Sequence, residues 1–241
     1  MVMQSWWDAL QRDAAGIGAL ADPVRHRLYE FVCSQPEPVS RDQAADATGI
    51  ARHQAKFHLD RLEAEGLLES AYARVTGRSG PGAGRTSKLY RRADRQLAVS
   101  LPPREYELAG RLMARAIVES ATSGAPVVAV LNQTARDHGR AVGVAAVAAS
   151  RRPPRDPQSA LELAVAVLRQ HGYEPRPEDG EVYLANCPFH ALAQEQRELA
   201  CTMNHAMISG IADAMRPYRP HARLDPRPPN CCVVLAAARR S

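Results

Sequence analysis

Apolar residues recur at spacings of three and four through Leu20, Val24, Leu28, Phe31 and Val32, the period of a helix with one buried face. Pro36 and Pro38 end it. Upstream, residues 5–16 predict a shorter amphipathic helix, with Trp6, Leu10 and Ala14 on one stripe and Trp7 beside it. A helix with two tryptophans is expected to pack on the body of the protein or on a second subunit. Ser40 precedes Arg41-Asp42-Gln43 at capping-box spacing, so a short helix starts there and closes at Gly49. The next helix spans residues 51–65, turns Ala55, Leu59 and Leu62 inward and stops at Gly66. The pattern then changes. Leu67 to Val75 predicts a strand, Gly77 to Gly84 a glycine-rich loop, and Lys88 to Arg91 an antiparallel return. Helices followed by a hairpin is the order of a winged helix-turn-helix.

Residues 96–103 predict a linker ending at Pro102-Pro103. Helices follow over roughly 104–122 and 126–148. The first sets Leu108, Leu112, Ala116 and Val118 near one seam, the pattern of a dimerisation helix. Pro153, Pro154 and Pro157 open a last segment, which predicts a helix over 159–171 closed by Gly172, strands near 173–176 and 181–187, a helix over 191–215, and strands near 222–225 and 232–236. The expected class is α+β, with a winged helix-turn-helix domain at 1–95, a helical linker and dimerisation region at 104–150, and an α+β sensor domain at 158–241. There is no internal repeat.

Composition narrows the function classes. The chain has 241 residues, 45% of them hydrophobic and 24% charged, a globular balance. Its formal charge of +5 is compatible with nucleic acid without requiring it. The apolar runs fall short of a membrane span, and the first residues lack a basic stretch leading into an apolar one. Five cysteines, two of them adjacent, fit a reducing compartment better than a disulfide scaffold. The reading is a cytoplasmic protein with no membrane partner.

With Ala55, Leu59 and Leu62 inward, the face of the 51–65 helix left outward carries Arg52, His53, Gln54, Lys56, Phe57 and Arg61. In a helix-turn-helix this is the helix that enters the major groove of double-stranded DNA, N-terminal half foremost. Arg, Lys and Gln can pair with base edges there, and Phe57 can meet a thymine methyl. The hairpin adds Arg74, Arg78, Arg85, Lys88, Arg91 and Arg92 with no acidic residue among them, a wing suited to a phosphate backbone. The run Ser79 to Thr86 looks like a phosphate-binding loop, but it lacks the first glycine, has Arg85 in place of the lysine and leads into a strand. Nucleotide binding is therefore rejected. Ala21 to Leu28, Gly49 to Arg52, His58 to Leu68 and Gly84 to Tyr90 together resemble the ArsR-type winged helices of bacterial repressors over residues 17–92. That resemblance implies a homodimer reading a pseudo-palindromic operator.

The cysteines bear on what is sensed. Cys33, beside Phe31 and Val32, is read as a small buried apolar residue. Cys187, Cys201, Cys231 and Cys232 lie in the last segment, with His190 close to Cys187. Folding could bring a strand end, a helix and a strand start into one corner. Three thiolates and an imidazole could hold zinc, or the thiolates an iron–sulfur cluster. On a strand, only one of Cys231 and Cys232 is expected to point at a given site. His205, one helical turn beyond Cys201, ranks below His190 as a ligand. An enzyme using Cys187 as nucleophile and His190 as base is the contrasting reading, but no oxyanion element or orienting acid can be assigned, so the chain is read as a non-enzyme. Residues 181–235, through Asn186-Cys187-Pro188-Phe189-His190, Cys201-Thr202-Met203-Asn204 and Leu224 to Pro228 before Cys231-Cys232, resemble the C-terminal region of SufR-type regulators. These are repressors of iron–sulfur assembly genes that bind a [4Fe-4S] cluster. The resemblance implies Cys187, Cys201 and one of Cys231 and Cys232 as thiolate ligands, although this chain lacks a cysteine between 201 and 231 where that family's run of four is more regular. Cofactor occupancy is expected to shift operator affinity through the helix at 104–122, because both half-sites must be engaged together. The alternative is a structural zinc site, or a small apolar effector bound between the helices of 104–148.

Overall fold

The computed structural model describes residues 4–73, 86–227 and 230–238. The chain divides into two compact units, Met1–Val99 and Ser100–Ser241. Helical and antiparallel strand segments make it an α+β protein.

The first unit runs α1 (Gln4–Ala19), α2 (Pro23–Ser34), β1 (Val39–Ser40), α3 (Arg41–Thr48), α4 (Arg52–Ala64), β2 (Leu68–Ala73) and β3 (Ser87–Arg92). Its helix ends follow local chemistry. Asp22 caps α2, accepting from the Val24 and Arg25 amides, with Pro23 in the first turn. Ser40 and Gln43 form the expected capping box on α3, and Gly49 ends that helix in the left-handed region at φ 70°. The strands pair antiparallel in the order β1-β3-β2. Tyr90 sits opposite both Val39 and Ser70, so the wing hairpin is stitched to the start of α3. Strand β1 is too short to leave a period in the sequence. Leu28, Val32, Ala55, Leu59, Leu62 and Tyr90 form the core. Helix α1 meets this unit through Gly16 and Ala19, both buried, and through an Arg95–Asp13 ion pair at 2.5 Å.

The second unit contains α5 (Tyr106–Ser123), α6 (Val127–Ala149), α7 (Pro157–Gln170), β4 (Pro175–Glu178), β5 (Glu181–Leu184), α8 (His190–Glu195), α9 (Arg197–Ala214), β6 (His221–Leu224) and β7 (Val233–Ala236). Its sheet is antiparallel in the order β4-β5-β7-β6. Pro175 and Pro177 lie on β4, an edge strand, where a missing amide costs no ladder bond. Asp179 and Gly180 both have positive φ, 49° and 79°, which closes the β4–β5 hairpin with the twist that two-residue turns require.

Helices α6 and α9 form the closest helix pair. A methyl at Gly139 would stand 1.9 Å from the Met207 carbonyl oxygen, and one at Gly210 would stand 2.0 Å from that of Arg136. Glycine at both positions is what lets the backbones meet. Arg136 donates to Asp213 across the pair at 2.7 Å.

Three expectations change here. The seam Leu108, Leu112 and Ala116 is buried in the unit's own core with α6, α7 and α9 residues, and Val118 remains exposed. The helix expected over 191–215 is two helices, broken at Gln196, whose φ of −133° and ψ of 68° are not helical. The final strand begins at Val233, so Cys231 and Cys232 precede it.

Candidate functional site

Two places in the fold gather the chemistry anticipated from the sequence. The first is a cavity of about 300 Å³ in the second unit, lined by Cys187, His190, Cys201, Cys231 and Cys232 together with Arg197 and Arg227. Cys187 lies just past β5, in a turn whose carbonyl accepts from the His190 amide at 3.1 Å. Cys201 comes from α9. Cys231 is placed by its amide, which donates to the Leu184 carbonyl at 2.7 Å, and Cys232 by its carbonyl, which accepts from Asp225 at 2.7 Å. Both adjacent cysteines therefore line the cavity. The alternation expected of a strand does not apply, because their backbone is a bend ahead of β7.

The thiols interact. The neighbouring Cys231 side chain and burial push the Cys187 thiol far above the ordinary range. Cys187 draws the Cys231 thiol down, but Cys232 and burial prevail and push it up to about 12. Both shifts favour the protonated thiol. A metal would have to displace the protons, so its binding would weaken in acid.

Behind the sulfurs lies a buried polar relay. The Tyr173 hydroxyl donates to the Asn204 side-chain oxygen, and Asn204 Nδ2 donates to Cys231 Sγ at 3.2 Å. Asn204 is only 1% exposed. His190, at the start of α8, is exposed at the cavity rim. His205 instead faces the Ala222 carbonyl at 3.1 Å and is not among the lining residues. Cys33 lies in the first unit, half-buried on α2. Among the described residues, no three His, Cys, Asp or Glu side chains converge tightly enough to hold a single metal ion.

The second place is the outer face of α4. Arg52, His53, Gln54, Lys56, Phe57 and Arg61 are all exposed, while Ala55, Leu59 and Leu62 are wholly buried. Phe57 is 65% exposed, a large apolar side chain with its ring edge-on to His58, centroids 5.2 Å apart. The turn at residues 49–51 joins α3 to α4, and Arg52 at the start of α4 stands 3.7 Å from the Asp42 carboxylate of α3.

Residues 20–71 match the family model of a helix-turn-helix domain. No curated protein and no solved structure matches the chain.

The first unit is thus a helix-turn-helix domain with a paired hairpin beside it, the build of a DNA-binding transcriptional regulator, and α4 is the second helix of its pair. Not all of its basic residues face outward. Lys88, expected to reach phosphate, points between α4 and the hairpin, where its ammonium meets Asp60 at 2.9 Å and also Glu63. Lys56 pairs with Asp60 at 2.7 Å and Arg61 with Glu65 at 2.6 Å, but both remain exposed. Burial disfavours charge on Asp60, yet hydrogen bonds from Lys56, Lys88 and Tyr90 outweigh it and hold the carboxyl well below the usual range. This network was missed in the sequence because its partners lie on α4 and β3, far apart along the chain. Arg78 and Arg85 lie outside the described residues. Among the described residues no helix is long and apolar enough to cross a membrane.

Proposed function

We propose that the protein is a homodimeric repressor whose operator affinity depends on a redox-labile, sulfur-ligated cofactor in the second unit, a [4Fe-4S] cluster. The observation that carries this reading is the gathering of Cys187, Cys201, Cys231 and Cys232, with His190 at the rim, around one cavity. Soft thiolate donors select iron–sulfur clusters, zinc and copper(I). Zinc, which takes the same thiolate and imidazole donors, is the alternative occupant. The amide N–H of Asn204 adds a donor to the Cys231 sulfur, an interaction that orients a ligand and tunes a cluster's potential. Cys187, Cys201 and one or both of Cys231 and Cys232 would hold the group, with His190 as a further ligand. When bound, a cluster supplies sensitivity to oxidants and to iron supply.

At the DNA, Arg52, His53, Gln54, Lys56 and Phe57 present base-reading and methyl-contacting groups, and Arg61, Arg78 and Arg85 contribute positive charge toward the phosphates. Lys88 holds the wing against α4 in this reading. A second copy finds apolar side chains open on α5 and α6, namely Ile117, Val118, Val127, Val128 and Val144, and joining two copies engages both operator half-sites together.

The test is anaerobic purification followed by an absorbance spectrum and iron, sulfide and zinc analysis on one sample. A brown protein containing iron and sulfide, both lost in Cys187→Ser, supports the reading. A colourless protein with stoichiometric zinc replaces the sensor with a structural metal. A preparation with no metal removes the cofactor and leaves the DNA-binding unit.

A further inference from the structure

The Cys187 turn is tied by side chains and backbone to the residues that open the second unit. Arg104 Nη1 donates to Asn186 Oδ1 at 2.5 Å and to the Cys187 carbonyl at 3.0 Å. The Asn186 amide in turn donates to the Gly172 carbonyl at 2.6 Å and the Pro103 carbonyl at 3.2 Å. The backbone adds two bonds in opposite senses. The Glu105 amide donates to the Pro188 carbonyl at 3.1 Å, and the Ala191 amide donates to the Tyr106 hydroxyl at 3.2 Å. Gly172 closes against the same segment, since a methyl there would stand 2.7 Å from Pro103 Cβ.

This arrangement has a direction. Asn186 is one of three buried polar or charged residues among those described, and a buried amide is retained at little cost only when its hydrogen bonds are met. Here they are met by Gly172 together with Pro103 and Arg104, not by the sheet that precedes the cysteine. Cys187 faces the cavity on one side of the turn, while its carbonyl is held by Arg104 on the other. Any shift of the Cys187 backbone on taking up a ligand must strain or relax the bonds to residues 103–106. Those residues lead into α5, which starts at Tyr106, a few positions after the division between the units at Val99. A packed, hydrogen-bonded junction of this kind passes on a small displacement because it does not deform continuously.

We propose that Arg104 is a positioning residue that holds the Cys187 turn in its ligand-ready setting and carries the state of that turn into the segment returning to the DNA-binding unit. The proposal rests on the cavity being a sulfur-ligated cofactor site, and its test separates the two claims. The full-length protein is prepared without metal and after anaerobic reconstitution with iron(II) and sulfide, as wild type, Arg104→Ala and Arg104→Lys. Two readouts are taken: hydrogen exchange at the Glu105 and Ala191 amides, and the rate of iron loss to an iron(II) chelator.

In the wild type, reconstitution is expected to change exchange at both amides by at least about tenfold, a coupling of about 1.4 kcal/mol. Arg104→Ala is expected to lose iron at least several-fold faster and to show no change at these amides on loading. Arg104→Lys, which keeps a cationic donor, restores part of both. Wild-type protein that takes up iron and sulfide while the two amides exchange as before overturns the coupling but leaves the cofactor reading standing. Arg104→Ala that matches wild type in both readouts overturns the role of Arg104. Wild-type protein that takes up neither iron nor sulfide overturns the cofactor reading and the proposal with it. The wild-type comparison decides the coupling even where the alanine variant fails to fold, and the lysine variant then decides the residue.

Discussion

Leaving a buried amide unpaired costs about 1–3 kcal/mol, and Asn204 avoids this only because Tyr173 and Cys231 take the two ends of its side chain. Replacing Asn204 with Leu orphans the wholly buried Tyr173 hydroxyl. It is expected to destabilise the second unit by about 1–3 kcal/mol in denaturant unfolding of the metal-free protein. Tyr173→Phe removes the other half of the pair. The double variant should therefore lose less than the sum of the singles, which is the signature of a shared contact. Strictly additive losses would mean that the two side chains act independently. At Cys187 the residue-scale chemistry points toward ligand uptake coupled to proton release. Its thiol is held protonated by the Cys231 contact and by burial, so apparent metal affinity should rise with pH, measurable as cobalt(II) or iron(II) binding at successive pH values.

At the scale of elements, two junctions carry most of the specificity. Helix α4 and the hairpin are joined through Asp60, Glu63, Lys88 and Tyr90. Asp60 has a folded-state pKa well below its ordinary value, despite the opposing effect of burial, because Lys56, Lys88 and Tyr90 donate to it. The unfolded chain therefore binds a proton first. The stability contributed by Asp60 is present above the unfolded carboxylate pKa of about 3.9 and is lost as pH falls from there through the lower folded value. Thermal unfolding of the DNA-binding unit should weaken below about pH 4, and Asp60→Asn should flatten that dependence while lowering stability at neutral pH. The second junction is the α6–α9 contact. Gly139→Val places a branched side chain where even a methyl would overlap the Met207 carbonyl oxygen. Overpacking typically costs about 1–3 kcal/mol, and a clash with backbone should reach or exceed the top of that range in a urea titration. A neutral Gly139→Val would mean that the two helices separate freely.

For the whole molecule, DNA binding and core stability divide the basic residues between them. Arg52 is exposed at the start of α4 with only a long contact to Asp42 at 3.7 Å, whereas Lys88 is held by two carboxylates. On a labelled duplex selected from a random library, Arg52→Ala is expected to weaken binding. It should also reduce the slope of log affinity against log salt by about 1 if it meets a phosphate. Lys88→Ala should lower the unfolding midpoint and leave the salt slope unchanged. The reverse pattern would place Lys88 at the phosphates and Arg52 away from them.

Features that depend on neighbours along the chain were legible before any fold was known. The 3.6-residue period placed α2 and α4. Ser40 with Gln43, and Gly49, marked the ends of α3 because caps act over three or four residues. The outward set on α4 followed from three inward apolar positions, and the Asp179-Gly180 pair, which sequence reading passed over, was already a hairpin signal. Other features depend on atoms distant in sequence, and these had to wait for the folded structure. It gave Leu108, Leu112 and Ala116 to an internal core, because a seam pattern does not say which helix covers it. It turned Lys88 inward, since Asp60 and Glu63 reach it only when β3 lies on α4. It also brought both Cys231 and Cys232 to the cavity, because strand alternation begins only where strand pairing does, at Val233.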